Sequence, residues 1–119
     1  MIEDDDIILV ELKRLLEIES ETTEFDMDVL ASANAAFFTL YELGIGPNTP
    51  FYMTDTTTWD KFETTIPKPI ILDYIFLKTK LVFDPPSSSF VLEAFKDRIN
   101  ELEFRMNIYV DDGGGTIVG

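Results

Sequence analysis

Apolar residues recur along this chain with the spacing of helices rather than strands, and four segments carry the pattern. Ile8, Leu12 and Leu15 are separated by four and three positions. They follow Asp4, Asp5 and Asp6, which complement the positive end of a helix dipole, while Lys13 and Arg14 sit toward its negative end. After the polar stretch EIESETTEF a second helix is expected, capped by Thr22 or Thr23 and stopped at Gly44. Val29, Ala33, Ala36, Phe37, Leu40 and Tyr41 share one stripe of it, and residues 31–36 are slender enough for another helix to approach closely.

Pro67 and Pro69 open a third helix in the first turn, where a missing N–H costs nothing. Residues 70–83 are apolar on nearly every side, as in the central helix of a bundle or one covered by a partner chain. Asp84, Pro85, Pro86 and Ser87 form an obligatory corner, because neither proline can continue the helix and each drives the preceding residue out of helical geometry. Ser87, Ser88 or Ser89 then caps a fourth helix, whose apolar face runs Val91, Phe95, Ile99, Leu102, Met106 and Tyr109. Glu101 and Arg105, four apart, support its exposed side. The third and fourth helices are therefore expected to fold back on each other. The predicted class is all-α: a four-helix antiparallel bundle over residues 1–112, with an extended C-terminal tail at 113–119 where three glycines end the last helix.

Between the second and third helices lies a stretch rich in proline, threonine and turn formers, predicted to be an ordered loop. FYM reads as a short strand and TTTWDKF as one helical turn. Phe51, Tyr52 and Trp59 are too apolar to be left in water, so they either fold onto the subunit's own core or form an interface loop. Phe38 and Phe104 fall outside any single helical stripe and are expected at an interface.

Composition narrows the function. With 119 residues, 45% of them apolar, the chain builds one real core. It has no cysteine and no histidine, which removes disulfides, thiolate metal sites, the commonest zinc ligand and the commonest general base. The acidic beginning is unlike a signal peptide and no apolar run is long enough to span a bilayer, so a soluble protein without membrane contact is expected. Net charge is −14, and the first fifty residues carry 12 acidic against 2 basic side chains, which disfavours conventional DNA binding. Asp26 with Asp28, like Asp111 with Asp112, lacks calcium-loop spacing; the serine run with Lys96 is explained by capping; Gly113, Gly114 and Gly115 lack the lysine and helix of a phosphate loop. No catalytic residue, cofactor or metal is expected.

Three stretches carry a resemblance: TEFDMDVLASANAAFFTLYELGIGP, TTTWDKF, and YIFLKTKLVFDPPSSSFVLEAFKDRINELEFRMNIYVDD. In this order they resemble the small head-tail connector (adaptor, or head-completion) proteins of long-tailed phages of Gram-positive bacteria. The corner LVFDPPSSSFVLEAF, followed by a helix ending in NIYVD, is the most specific part. The resemblance implies a structural virion protein, not an enzyme. It would form a homo-oligomeric ring, commonly of twelve, beneath the portal protein, with genomic DNA passing through the centre without sequence-specific binding. It would also give a stopper or tail-side neck protein its docking surface, in the virion neck after assembly in the host cytoplasm. In such an adaptor Gly113, Gly114 and Gly115 would act as a hinge, letting Thr116, Ile117 and Val118 reach a sheet edge of the portal. The competing reading of the charge is an acidic DNA mimic that inhibits a nucleic-acid-binding protein.

Overall fold

The computed structural model describes residues 6–110, and over these the chain is all-helical, with no strand. The helices are α1, Ile8–Leu15; α2, Asp26–Glu42; α3, Lys68–Phe83; and α4, Ser89–Tyr109. A single 3-10 turn, Trp59–Lys61, falls where the TTTWDKF segment was read as helical. Phe51 to Met53 forms no strand, because Met53 pairs with a side chain rather than with a second strand. Each helix packs on the next: α1 on α2, α2 on α3, and α3 on α4. The resulting slab measures 48 × 42 × 19 Å, about two helix diameters thick. Its core joins Val29, Ala33, Phe37 and Leu40 of α2 to Ile71, Tyr74 and Ile75 of α3, with Leu102 and Met106 of α4 closing the far side.

The stripe of α1 departs from expectation. Ile8, Leu9, Leu12 and Leu16 are buried, whereas Leu15 is 42% exposed. The core follows the four-residue ridge 8, 12, 16, which leaves position 15 outside it. The helix ends in a Schellman motif: Ile18 N–H donates to the Lys13 carbonyl at 2.8 Å and Glu17 N–H to that of Arg14 at 3.1 Å. Glu17 occupies the left-handed position of this motif, at φ 64°. The same motif closes α2, with Gly44 at φ 80° and Ile45 N–H donating to Leu40 at 2.9 Å.

α2 starts later than a Thr22 or Thr23 cap implies; Phe25 holds the cap position without a side-chain hydrogen bond. The cause is Lys13. The residue is 4% exposed, and its ammonium donates to the carbonyls of Ser20 and Thr22 and pairs with Asp26 Oδ1 at 2.9 Å. Residues 20–25 are thereby drawn around the charge as a turn, and the helix begins where the turn ends.

α3 and α4 follow local chemistry closely. Pro67 is the cap residue of α3, Pro69 lies in its first turn, and Asp84 ends it. Ser88 Oγ accepts from Val91 N–H at 3.3 Å and caps α4. Ile99, Leu102 and Met106 are buried as expected, but Val91 is 38% exposed, so the first turns of α4 run beyond the core. Glu101 is engaged not by Arg105 but by Arg98, whose two amino nitrogens reach Glu101 and Asp73 of α3 at 3.1 Å each.

Two substitutions test the α1–α2 turn. Lys13→Met should lower unfolding free energy by about 2–4 kcal/mol, since it leaves Asp26 and two inward-facing carbonyls without their cation. Glu17→Gly should raise it by about 1 kcal/mol by relieving the left-handed conformation. Urea denaturation followed by circular dichroism measures both; an unchanged midpoint for Lys13→Met would contradict the role given to that ammonium.

Candidate interaction surface

The connection between α2 and α3 is long and almost without regular structure, yet it is pinned at every stage. The Asn34 amide on α2 donates to the Met53 carbonyl at 3.1 Å and accepts from the Met53 N–H at 2.7 Å, standing in for a strand partner. Ile8 N–H donates to the Thr57 carbonyl at 3.0 Å, and Ile7 bridges Thr58. Trp59 Nε1 donates to Glu11 Oε1 at 2.7 Å; that same oxygen pairs with Lys68 Nζ at 3.1 Å, and the ammonium lies 5.4 Å from the Trp59 ring centre. One carboxylate thus joins α1, the connection and α3.

These contacts sort the predicted interface loop. Phe51 is half-buried against Phe37 and Phe62, with centroid separations of 4.8 and 5.1 Å. Trp59 is half-buried and hydrogen-bonded. Tyr52 points the other way, 74% exposed. The structure therefore separates a loop residue available to a partner from two that fasten the loop to its own subunit.

At the corner, Lys80 Nζ donates to the Asp84 carbonyl and to Oδ2, each at 3.0 Å, while Pro85 and Ser87 are exposed. Beyond it, Tyr74 is fully buried and its hydroxyl donates to Glu103 Oε2 at 2.7 Å, linking α3 to α4. Burial, with Glu103 as acceptor, pushes this phenol far above its ordinary pKa, so it remains a donor. Gly113, Gly114, Gly115, Thr116, Ile117 and Val118 lie outside the described residues.

Several large apolar side chains stand exposed among the acidic ones. On α4, Phe90 is 81% and Phe104 66% exposed, and with Ile108 they share the face turned away from Ile99, Leu102 and Met106. Phe38 on α2 is exposed as well, stacked beside Tyr41 at 5.8 Å. A separate groove of about 610 Å³ opens where the end of α1, the start of α2 and the end of α3 converge; its floor includes Leu16, Ile18, Phe25 and Phe83. The off-stripe positions of Phe38 and Phe104 were visible in the sequence. The groove was not, since its walls come from three distant segments, and neither were the roles of Asn34 and Lys13. Among the described residues no group of three or more acidic side chains is placed to hold a metal ion, and no helix is long and apolar enough to cross a membrane.

Exposed phenylalanines on two helices, Phe38 on α2 and Phe90 and Phe104 on α4, suit a protein that contacts others. A family model described as phage connector protein matches residues 8–113, from the first residue of α1 past the end of α4. The chain belongs to that family. No curated protein and no solved structure gives a significant match.

The loop's seat can be probed at its glycines. Gly46 has φ 96°, and a Cβ there would lie 2.5 Å from the Phe62 ring, whereas Gly44 at φ 80° faces open space. Gly44→Ala should cost about 1 kcal/mol for the left-handed backbone alone. Gly46→Ala adds the displacement of Phe62 and should cost at least about 2 kcal/mol. Equal losses in thermal denaturation would show that Phe62 yields freely and does not fix the loop.

Proposed function

We propose that this chain is a head-tail connector subunit in the neck of a long-tailed phage of Gram-positive bacteria. Copies of it, commonly twelve, form a ring that docks beneath the portal protein and extends the channel for genomic DNA. The ring presents its opposite side to a stopper or other tail-side neck protein. Family membership supports the neck location, and one observation carries the assembly: α4 completes the subunit's own core with one face and exposes Phe90, Phe104 and Ile108 on the other. Rotation-related neighbours in a closed ring meet through unlike surfaces, and exposed apolar side chains at the two ends of one helix face, Phe90 at the first and Phe104 with Ile108 at the second, suit one half of such a contact.

The finer assignments follow from that reading. The short corner at residues 84–88, with the Asp73–Arg98 and Tyr74–Glu103 links, supports an antiparallel α3–α4 pair. Tyr52 is the loop residue assigned to a neighbour or neck partner, with Phe51 and Trp59 holding the loop in shape for it. Gly113, Gly114 and Gly115 are assigned as the hinge, and Thr116, Ile117 and Val118 as the portal-contact segment. The role is structural: no residue is assigned to catalysis and no cofactor is required. An acidic DNA mimic is the weaker reading, because mimicry calls for a surface of spaced carboxylates and not for exposed phenylalanines on two helices.

Complementation of a phage lacking this gene product tests the proposal. Phe104→Asp should keep its helix content yet weaken each subunit contact by about 2 kcal/mol, so that filled heads accumulate without tails. A chain ending at Asp112 should keep the helical fold and lose portal attachment. Electron microscopy that finds the protein singly on capsids, away from the portal vertex, would overturn the ring, and normal incorporation of the shortened chain would overturn the tail assignment.

A further inference from the structure

The apolar groove at the α1, α2 and α3 ends is not used by the ring contact assigned to α4, and its chemistry selects an occupant. Leu16, Ile18, Phe25, Val82 and Phe83 line it together with Ser32 and two aspartates, and Phe25 packs edge to face on Phe83 at 5.7 Å. Phe25 is 37% and Val82 71% exposed, so the subunit does not close the groove itself. Its volume of about 610 Å³ falls within the roughly 300–1,000 Å³ typical of sites that accept a small molecule or a cluster of side chains.

The unpaired charge at the rim is negative. Asp28 and Asp84 line the groove, no lysine or arginine does, and Glu24 stands exposed beside Phe25. The nearby cations are already held: Lys13 is buried on Asp26 and two carbonyls, and Lys80 is bound to Asp84. Among the described residues no ion pair involves Asp28 or Glu24.

We propose that this groove docks a short apolar segment flanked by lysine or arginine, supplied by a different protein of the assembly. The apolar centre covers Phe25, Val82 and Phe83, and the basic flanks meet Glu24 and Asp28, Asp84 being already paired with Lys80. A second copy of this chain is the poorer occupant, because its lysine-flanked apolar run, residues 68–78, belongs to α3 and is already packed between α2 and α4. The inference rests on the neck-assembly reading for the partner's origin; its chemistry comes from the groove alone.

The test uses the full chain, isotope-labelled for NMR, titrated with a short synthetic peptide whose Leu-Ile-Leu centre lies between pairs of basic residues. A second peptide has the same centre and acidic flanks. The basic peptide should shift amide signals of residues 25–32 and 81–84 saturably, and the acidic one should not. Asp28→Lys, an exposed change, should weaken binding about threefold, and about 0.5 M sodium chloride should weaken it further. Ala31→Trp, at an exposed lining position, should fill the groove and remove binding while the helical spectrum is unchanged. Equal binding of both peptides, shifts centred elsewhere, no saturable shift, or groove shifts that depend on protein concentration without peptide would each overturn the proposal. Location of the wild-type protein in particles is scored separately: absence from the neck defeats the assembly reading, while a negative titration with normal neck incorporation defeats the groove alone.

Discussion

Phe37 is the point on which the rest of the structure depends. It has no exposed surface, and three rings of the α2–α3 connection converge on it: Phe51 at 4.8 Å, Phe62 at 5.1 Å and Trp59 at 6.4 Å. A connection of that length without regular structure carries a large ordering cost, and only the burial of several aromatic rings on a rigid helix can offset it. The other fastenings are subordinate to this one. Gly46 exists to let Phe62 approach, Asn34 holds Met53 where Phe51 can reach, and Trp59 arrives beside Glu11 because its ring has a wall to rest on. Without that wall α1 would keep only its backbone ties to Thr57 and Thr58.

The parts legible in the sequence are those set by neighbouring residues. Proline at 67, 69, 85 and 86 and serine at 88 act within a turn of themselves, so both ends of α3 and the start of α4 fall where expected. The end of α1 was hidden because its left-handed position holds glutamate, which has no reputation for that conformation, while the matching site in α2 holds the expected glycine. The start of α2 was misplaced because a lysine nine residues before Thr22 competes for the turn, a tertiary effect that no capping preference contains. Whether the loop aromatics faced inward or outward was undecidable without Asn34, whose partner lies 19 residues on. The family resemblance reached the functional class from motif order, but nothing in periodicity brings Leu16, Phe25 and Phe83 to one groove.

The charge distribution gains meaning from the pairings. Lys13, Lys68, Lys80 and Arg98 are each committed to carboxylates of their own subunit. Four of the nine positive charges are therefore structural, and among the described residues the exposed charges are predominantly negative. Such a surface repels a DNA backbone at ordinary salt.

The bond between Trp59 and Glu11 has a consequence in time. An α1 of eight residues is too short to persist alone in water, and the indole that secures it lies 48 positions further along the chain. At ribosomal speeds of roughly 5–20 residues per second that indole emerges some 2–10 seconds after Glu11. During that interval Ile8, Leu9 and Leu12 lack the connection that fastens them, and a chaperone that favours exposed apolar stretches has time to bind this segment.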